Sequence, residues 1–441
     1  MTFEQFRDKA FEYALKNGCG AAETYFVSGD TFEVMALSGD IDKYAVSRSF
    51  GVNLRVQLNG KNGYAYTEKL EDPEELVRRA MDNASVIDDA DEQPMQGPSE
   101  YAQVEEPHSA LDDMSEREKI DLALALERET MALDERVKRV MYCTATTGDT
   151  KIKLNNTLGL CAERRSRVAA SYVAAVMEQD GVLKDGMAFA FGPEADDIKK
   201  CAKEAVAEAS IRFGASPVPA GAYRVMLRND AAGDLITAFS PMFSAEDVQK
   251  GRSLMKDRIG EMVANPLVSI VDDPFYPAAP RAFDGEGVPS VRTDVIKNGR
   301  LESYLHNLKT AKKAGVESTG NAVRGLTTPV GVGPSCFYVV PGEMGYDAMV
   351  KALGDGLIIT GLEGLHAGLD TVSGEFSLLA RGLLVKGGEI VRAVDQITVG
   401  GSFLTLMEKV EAVGSDLKLL PMFSPCGSPS LLISELVVAG E

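Results

Sequence analysis

Histidine is scarce in this chain. Its 441 residues hold three, His108, His306 and His366, too dispersed to be read as a metal site, which needs ligands at short, ordered spacings. Cysteine is unpatterned: Cys19, Cys143, Cys161, Cys201, Cys336 and Cys426 include no CxxC pair. That signals neither a zinc knuckle nor a disulfide framework, and it fits a reducing cytoplasm. No apolar run approaches the ~18 residues of a membrane span. Residues 1–18 read as an amphipathic helix, without the apolar core and small-residue cleavage site of a signal peptide. There is no GxGxxG and no Walker loop, so nucleotide binding has no support. Basic residues are outnumbered, 46 against 66 acidic, for a formal charge of −20. That argues against a nucleic-acid surface, where phosphates demand clustered Lys and Arg.

The length exceeds one ordinary core, and 45% hydrophobic with 25% charged residues is a soluble globular composition. Periodicity predicts a helix over 3–17 and then five short strands, 22–27, 31–38, 41–48, 51–58 and 61–67. Their breaks are Ser28-Gly29-Asp30, Ser38-Gly39-Asp40 and Asn59-Gly60, all turn chemistry. Asp72-Pro73-Glu74-Glu75 opens a second helix with Asp at the cap and Pro at the first helical position. Residues 87–111, with Pro94, Pro98 and Pro107, read as a long surface connection. Ser115 and Glu118 form a capping box for a helix over 115–133. Strand-like segments at 137–146, 150–155, 160–178 and 184–191 follow, then a helix over 195–209. Helix, meander, helix, connection, helix, meander, helix implies two similar halves in one α+β unit. The Pro- and Gly-rich stretch 216–221 is the candidate boundary between an N-terminal α+β domain, 1–215, and a C-terminal domain, 216–441. Beyond it lie a strand at 223–227 and a helix over 231–243. From 268 onward β-branched residues and glycine turns dominate, which predicts a β-rich, barrel-like domain. The expected fold class is α+β.

Residues 361–401 are the most informative stretch. They hold His366, a small-residue turn at Thr371-Val372-Ser373-Gly374, an alternating apolar run over 376–385, a Gly387-Gly388 hairpin signal and a second strand-like run over 389–399. Earlier, Ser49-Phe50-Gly51-Val52-Asn53-Leu54-Arg55-Val56 precedes Gly63-Tyr64-Ala65-Tyr66-Thr67. Ala282-Phe283-Asp284-Gly285-Glu286-Gly287-Val288 precedes Thr293-Asp294-Val295-Ile296-Lys297-Asn298-Gly299-Arg300-Leu301, and Ser318-Thr319-Gly320-Asn321 closes a later loop. In this order and at these separations, the segments resemble the TldD/PmbA family, once called modulators of DNA gyrase and now regarded as peptidase subunits. The resemblance spans nearly the whole chain. It implies that catalytic, TldD-like members carry an HExxxH zinc motif on the first helix of the C-terminal domain, and that a later cysteine completes the site. Histidines on one helical face bind metal and the glutamate activates water. No His-Glu dipeptide occurs here, and the matching helix, Asn229-Asp230-Ala231-Ala232-Gly233-Asp234-Leu235-Ile236, offers no imidazole. The departure implies the PmbA/TldE-like branch. Such a subunit is non-catalytic and inactive alone. It shapes a chamber and binds extended peptide beside a TldD-like partner that holds the zinc.

Asp230 and Asp234 lie at helical spacing and could hold a hard cation, although capping or a solvated face is the commoner role. His366 is framed by Gly364 and Gly368, which let backbone approach closely. With His306 these are the candidate substrate-binding residues. Cys426, in Ser424-Pro425-Cys426-Gly427, reads as a turn residue. With His366 as base it is the alternative nucleophile, although an inert small residue is the commoner case. No catalytic or metal-binding residue is assigned. Three functions are carried forward: the PmbA/TldE-like subunit, a non-enzymatic peptide- or protein-binding homodimer, and a stand-alone Cys/His hydrolase. Exposed strand edges in a β-rich domain would also let a peptide add as a further strand.

Overall fold

The computed structural model describes residues 1–86, 93–420 and 425–440. Its first part is built on six strands: β1 (Ala21–Leu37), β2 (Asp40–Leu58), β3 (Lys61–Thr67), β4 (Val137–Asn156), β5 (Cys161–Gln179) and β6 (Val182–Phe191). They form one antiparallel sheet in the order β3-β2-β1-β4-β5-β6. The helices are α1 (Phe3–Lys16), α2 (Pro73–Val86), the short α3 (Ala110–Asp113), α4 (Glu116–Ala132) and α5 (Ile198–Ser210). Thr2 with Gln5, and Ser115 with Glu118, close capping boxes on α1 and α4.

The expected break at Ser28-Gly29-Asp30 does not exist. Gly29 pairs with Ser49 on one side and Thr150 on the other. Ladders on both edges satisfy the backbone, and this outweighs the turn preference of three residues. The segments 22–27 and 31–38 are therefore one strand, as are 41–48 with 51–58 and 137–146 with 150–155. The polar middle has another cause: β1 crosses between two cores. One, under α1 and α2, holds Phe6, Ala22, Leu54 and Leu76. The other, under α4 and α5, holds Phe32, Val34, Leu126 and Val173. Asp30 and Thr31 lie exposed between them. The true hairpins use consecutive left-handed residues, Ser38-Gly39 (φ 56 and 78°) and Asn59-Gly60 (φ 51 and 80°), as tight antiparallel connections require. The two halves also share a seating device. A Cβ on Gly63 would stand 1.9 Å from the Ala80 carbonyl, and one on Gly186 would stand 2.2 Å from that of Ala205. Thus α2 and α5 each rest directly on the backbone of an edge strand.

The C-terminal part begins with β7 (Gly221–Leu227) and α6 (Asn229–Phe239). β7 lies parallel to strand Gly356–Glu363, which continues through hairpin Glu375–Lys386 and Glu389–Ser402. Strand Leu431–Ala439 pairs with β7 on one side and Glu389–Ser402 on the other. The ring of five strands closes into a barrel. α6 packs Leu235, Ile236 and Phe239 with Phe243, Phe337, Phe403 and Leu431 in the largest core. A second sheet includes strands Ile270–Asp272, Phe337–Val339, Lys418–Leu420 and Cys426–Ser428. No helix among the described residues is long and apolar enough to cross a membrane.

A buried charge network joins the long sheet to the C-terminal part. Arg324 donates to Glu23 Oε1 (2.5 Å) and Asn53 Oδ1 (2.7 Å), and its guanidinium lies 5.0 Å from the centre of the Tyr25 ring. Arg55 Nη1 stands 3.6 Å from Glu286 and 3.8 Å from Glu23, all of these side chains at most 3% exposed. Asp284 accepts from the amides of Glu286, Val288 and Ala322 (2.8, 3.0 and 2.9 Å). Burial pushes the Asp284 and Glu286 carboxyls above the ordinary acid range. This network also corrects the expectation for 87–111. Residues 93–109 have no regular structure, but they are more than a surface connection. Arg55 Nη2 needs acceptors, and the carbonyls of Gln93 and Pro94 supply them (2.6 and 3.0 Å). Tyr101 lies tilted against Phe283, ring centres 5.0 Å apart, and donates to the Gly287 carbonyl (2.9 Å). Residues 87–92 of that expectation lie outside the described residues. Replacing Glu23 by Ala leaves the buried Arg324 guanidinium without its carboxylate, while Arg55 keeps Glu286, and should cost about 3–5 kcal/mol in urea denaturation. The Glu23→Ala/Arg324→Ala double variant should lose clearly less than the sum of the singles; strict additivity would show that the pair is not coupled.

Candidate functional site

The chain leaves the barrel on β7 and turns into α6 at Arg228, whose extended backbone serves as the helix cap. Its guanidinium makes two hydrogen bonds to Glu208 at the end of α5 (2.8 and 2.9 Å), one to the Thr360 carbonyl (3.1 Å), and bonds to Asp230 from Nε (2.9 and 3.1 Å). The two carboxylates raise the Arg228 pKa further, against the opposing effect of burial. Asp230 also accepts from the Ala231 amide (2.9 Å), so the acid is fully engaged.

Residues 230, 233, 234 and 237 share one helical face. That face lies on the strands Lys418–Leu420 and Cys426–Ser428: a Cβ at Gly233 would touch Leu420 at 3.4 Å and the Gly427 Cα at 3.6 Å. Asp234 is mostly enclosed, and its carboxyl is pushed up to about 7, by burial first and by Asp230 second, while Arg381 and Lys418 pull it down. It is not the solvated helix-face acid expected from spacing. At neutral pH it is divided between acid and carboxylate, so it can donate or accept a hydrogen bond. Cys426 is 2% exposed and interacts with Thr237 of α6. It lies in a strand rather than a turn, because Phe337 and Leu420 flank it in register. Burial raises its thiol to about 12, which leaves almost no thiolate at neutral pH.

The other candidates lie elsewhere. His366 is exposed, in a turn between Glu363 and Glu375. Gly364 (φ 85°) starts that turn, and its carbonyl accepts from the amides of Ala367 and Gly368 (2.9 and 2.7 Å). At Gly368 a Cβ would stand 2.5 Å from the Ser377 carbonyl, so its glycine is required by packing against the next strand. His306 is buried, pairs through Nδ1 with Thr310 (3.3 Å), and is held below the usual histidine pKa by that burial. Among the described residues, His366 makes no hydrogen bond to Cys426. The site residues that sequence reasoning passed over are Arg228, Glu208 and Arg381. The available signal was an arginine directly before an acid-capped helix.

Three family descriptions match in chain order: the PmbA/TldA metallopeptidase domain 1 over residues 22–84, the central domain over 109–213 and the C-terminal domain over 220–440. The chain belongs to the PmbA/TldD family. A structure described as a putative modulator of a DNA gyrase from Thermotoga maritima is 36% identical, covers 99% of this chain and 100% of its own, and superposes with a TM-score of 0.91. TldE from Thermococcus kodakarensis shares the fold, with a TM-score of 0.90 at 19% identity over 99% of this chain and 100% of its own. A metalloprotease PmbA homolog from Haemophilus influenzae is 25% identical over 98% of this chain and 95% of its own.

The word metallopeptidase raises the question of a zinc ion at α6. The residues present do not fit one. Asp230 is bound to a guanidinium whose charge would repel a second cation, the Cys426 thiol is protonated, and no imidazole faces them. Among the described residues no three His, Cys, Asp or Glu side chains converge on a metal-sized site. The measurable property of this face is the Asp234 carboxyl. Its folded pKa lies above the ordinary 3.8. It therefore favours the folded state fully at pH below that ordinary value, and the benefit is lost as pH rises through about 7. Asp234→Asn should be more stable than the parent at mildly alkaline pH, on the order of 2 kcal/mol. The advantage should vanish in acid. Parallel denaturation curves across that range would disprove the assignment.

Proposed function

We propose that this chain is the non-catalytic, PmbA/TldE-like subunit of a two-component zinc peptidase, shaping a chamber and gripping extended peptide while a TldD-like partner supplies the metal. The observation that carries this reading is the Arg228–Asp230 pairing: the acid at the start of α6 faces a guanidinium instead of being free to activate water. Water without a metal keeps a pKa near ~15.7 and yields no useful hydroxide at neutral pH. Asp234, able to donate or accept, suits a peptide amide, which presents both an N–H and a carbonyl. Membership of a metallopeptidase family supports the peptide class of ligand. A soluble cytoplasmic complex is the setting this reading requires.

The purified chain should contain no stoichiometric zinc by elemental analysis and should not cleave flexible peptides. Mixed with a TldD-like subunit it should support cleavage that a zinc chelator abolishes. Chelator-resistant cleavage by the chain alone, lost in Cys426→Ala, would instead establish the thiol hydrolase.

A further inference from the structure

Midway along the long sheet, where β1 runs between its two cores, a cavity of about 310 Å³ opens beneath α3 and the start of α4. Its floor is Phe32, Thr147 and Lys119, each less than a tenth exposed. Lys119 reaches in from α4 over the Phe32 ring, 5.1 Å from its centre, and its ammonium donates to Thr147 Oγ1 at 2.9 Å. Among the described residues Lys119 has no ion-pair partner, so two of its three protons remain for the cavity. Burial holds its pKa below the ordinary lysine value, against the pull of Asp112 and Glu116. Those two carboxylates are already engaged: Asp112 accepts from the Ser109 amide (2.9 Å), and Glu116 accepts from the Tyr44 hydroxyl. A buried ammonium that spends one donor on a neutral hydroxyl is poorly compensated.

The rim has the opposite sign. Asp30, Asp113 and Asp149 stand there with Asp112 and Glu116, against Arg165 and Arg167; Arg48 pairs with Asp30 (2.6 Å) and His108 with Asp113 (3.0 Å) at its outer edge, so the acids still outnumber the bases. Arg165 is taken by Asp149, and the nearest carboxylates to Arg167 are 3.9 Å away. A dianion would be repelled by this rim, and a simple cation would meet Lys119. A ligand with one charge of each sign satisfies both. The volume is at the lower end of the ~300–1,000 Å³ typical of small-molecule sites. We propose that this cavity binds a small zwitterion bearing an α-carboxylate and an α-ammonium, its carboxylate on Lys119 and its ammonium at the acidic rim. A free amino acid and a short peptide share that chemistry.

Calorimetric titration of the full chain with glycine, glycylglycine, N-acetylglycylglycine and glycinamide tests this. Glycine or glycylglycine should bind, and whichever is tighter identifies the source. The two singly charged compounds should each bind about tenfold more weakly or worse, the loss of one charged hydrogen bond. Lys119→Met keeps the packing over Phe32 and should lose about the same factor. The Lys119 Nζ resonance of the parent chain, followed by 15N NMR, should move on adding the zwitterion, a readout that needs no variant. Absence of both heat and resonance shift with either zwitterion, undiminished binding by Lys119→Met, or equal binding of the N-acetylated peptide would overturn the proposal.

Discussion

Two guanidinium groups sealed among carboxylates hold the long sheet against the C-terminal part, and much of the molecule is arranged to satisfy them. Arg55 and Arg324 are each 0% exposed at the side chain. Charges so enclosed tolerate few geometries, because a slip of either surface leaves one of them unpaired at a cost of several kcal/mol. The constraint propagates outward. Arg55 recruits the carbonyls of Gln93 and Pro94 and so fixes the path of an irregular segment. Glu286 accepts from the amide of Leu308 (2.9 Å), at the first turn of helix Leu308–Ala314. Asp284 takes the amide of Ala322 (2.9 Å). The segment 282–288, conspicuous in the sequence as a short acidic glycine turn, is thus the connector between the sheet, a helix start and a later loop.

Local signals in the sequence translated well where local chemistry decides. The capping box at Ser115, the Pro73 helix start and the Gly387-Gly388 hairpin all appear where their residues put them, because a cap or a tight turn is settled within four residues. The α+β class and the barrel followed from the succession of such elements. What failed was length. Ser28-Gly29-Asp30 has the composition of a turn, yet its neighbours in the sheet, Ser49 and Thr150, are distant in sequence. No local window contains the partners that keep the strand straight.

The site was legible in a similarly divided way. The lack of imidazole on the helix over 229–239 is plain from the letters. That Asp230 is tied to Arg228, and Arg228 in turn to Glu208 across the end of another helix, is not, because Glu208 belongs to a different layer. Spacing placed Asp230 and Asp234 on one face but assigned them a common environment. The structure separates them: one is an ion-paired acid and the other a carboxyl starved of water. Cys426 shows the reverse error, since proline and glycine neighbours suggested a turn where a parallel partner, Phe337, makes a strand.

The Arg228 bridge has one more consequence. Where a metal site organises a helix start, the geometry of that corner depends on a component that can leave, and folding becomes linked to supply of the ion. Here the compensating positive charge is a side chain. A guanidinium cannot dissociate from the protein and does not lose its proton in any ordinary medium. The charge balance at the entry to α6 is therefore made by residues of the chain itself, Arg228 with Asp230 and Glu208.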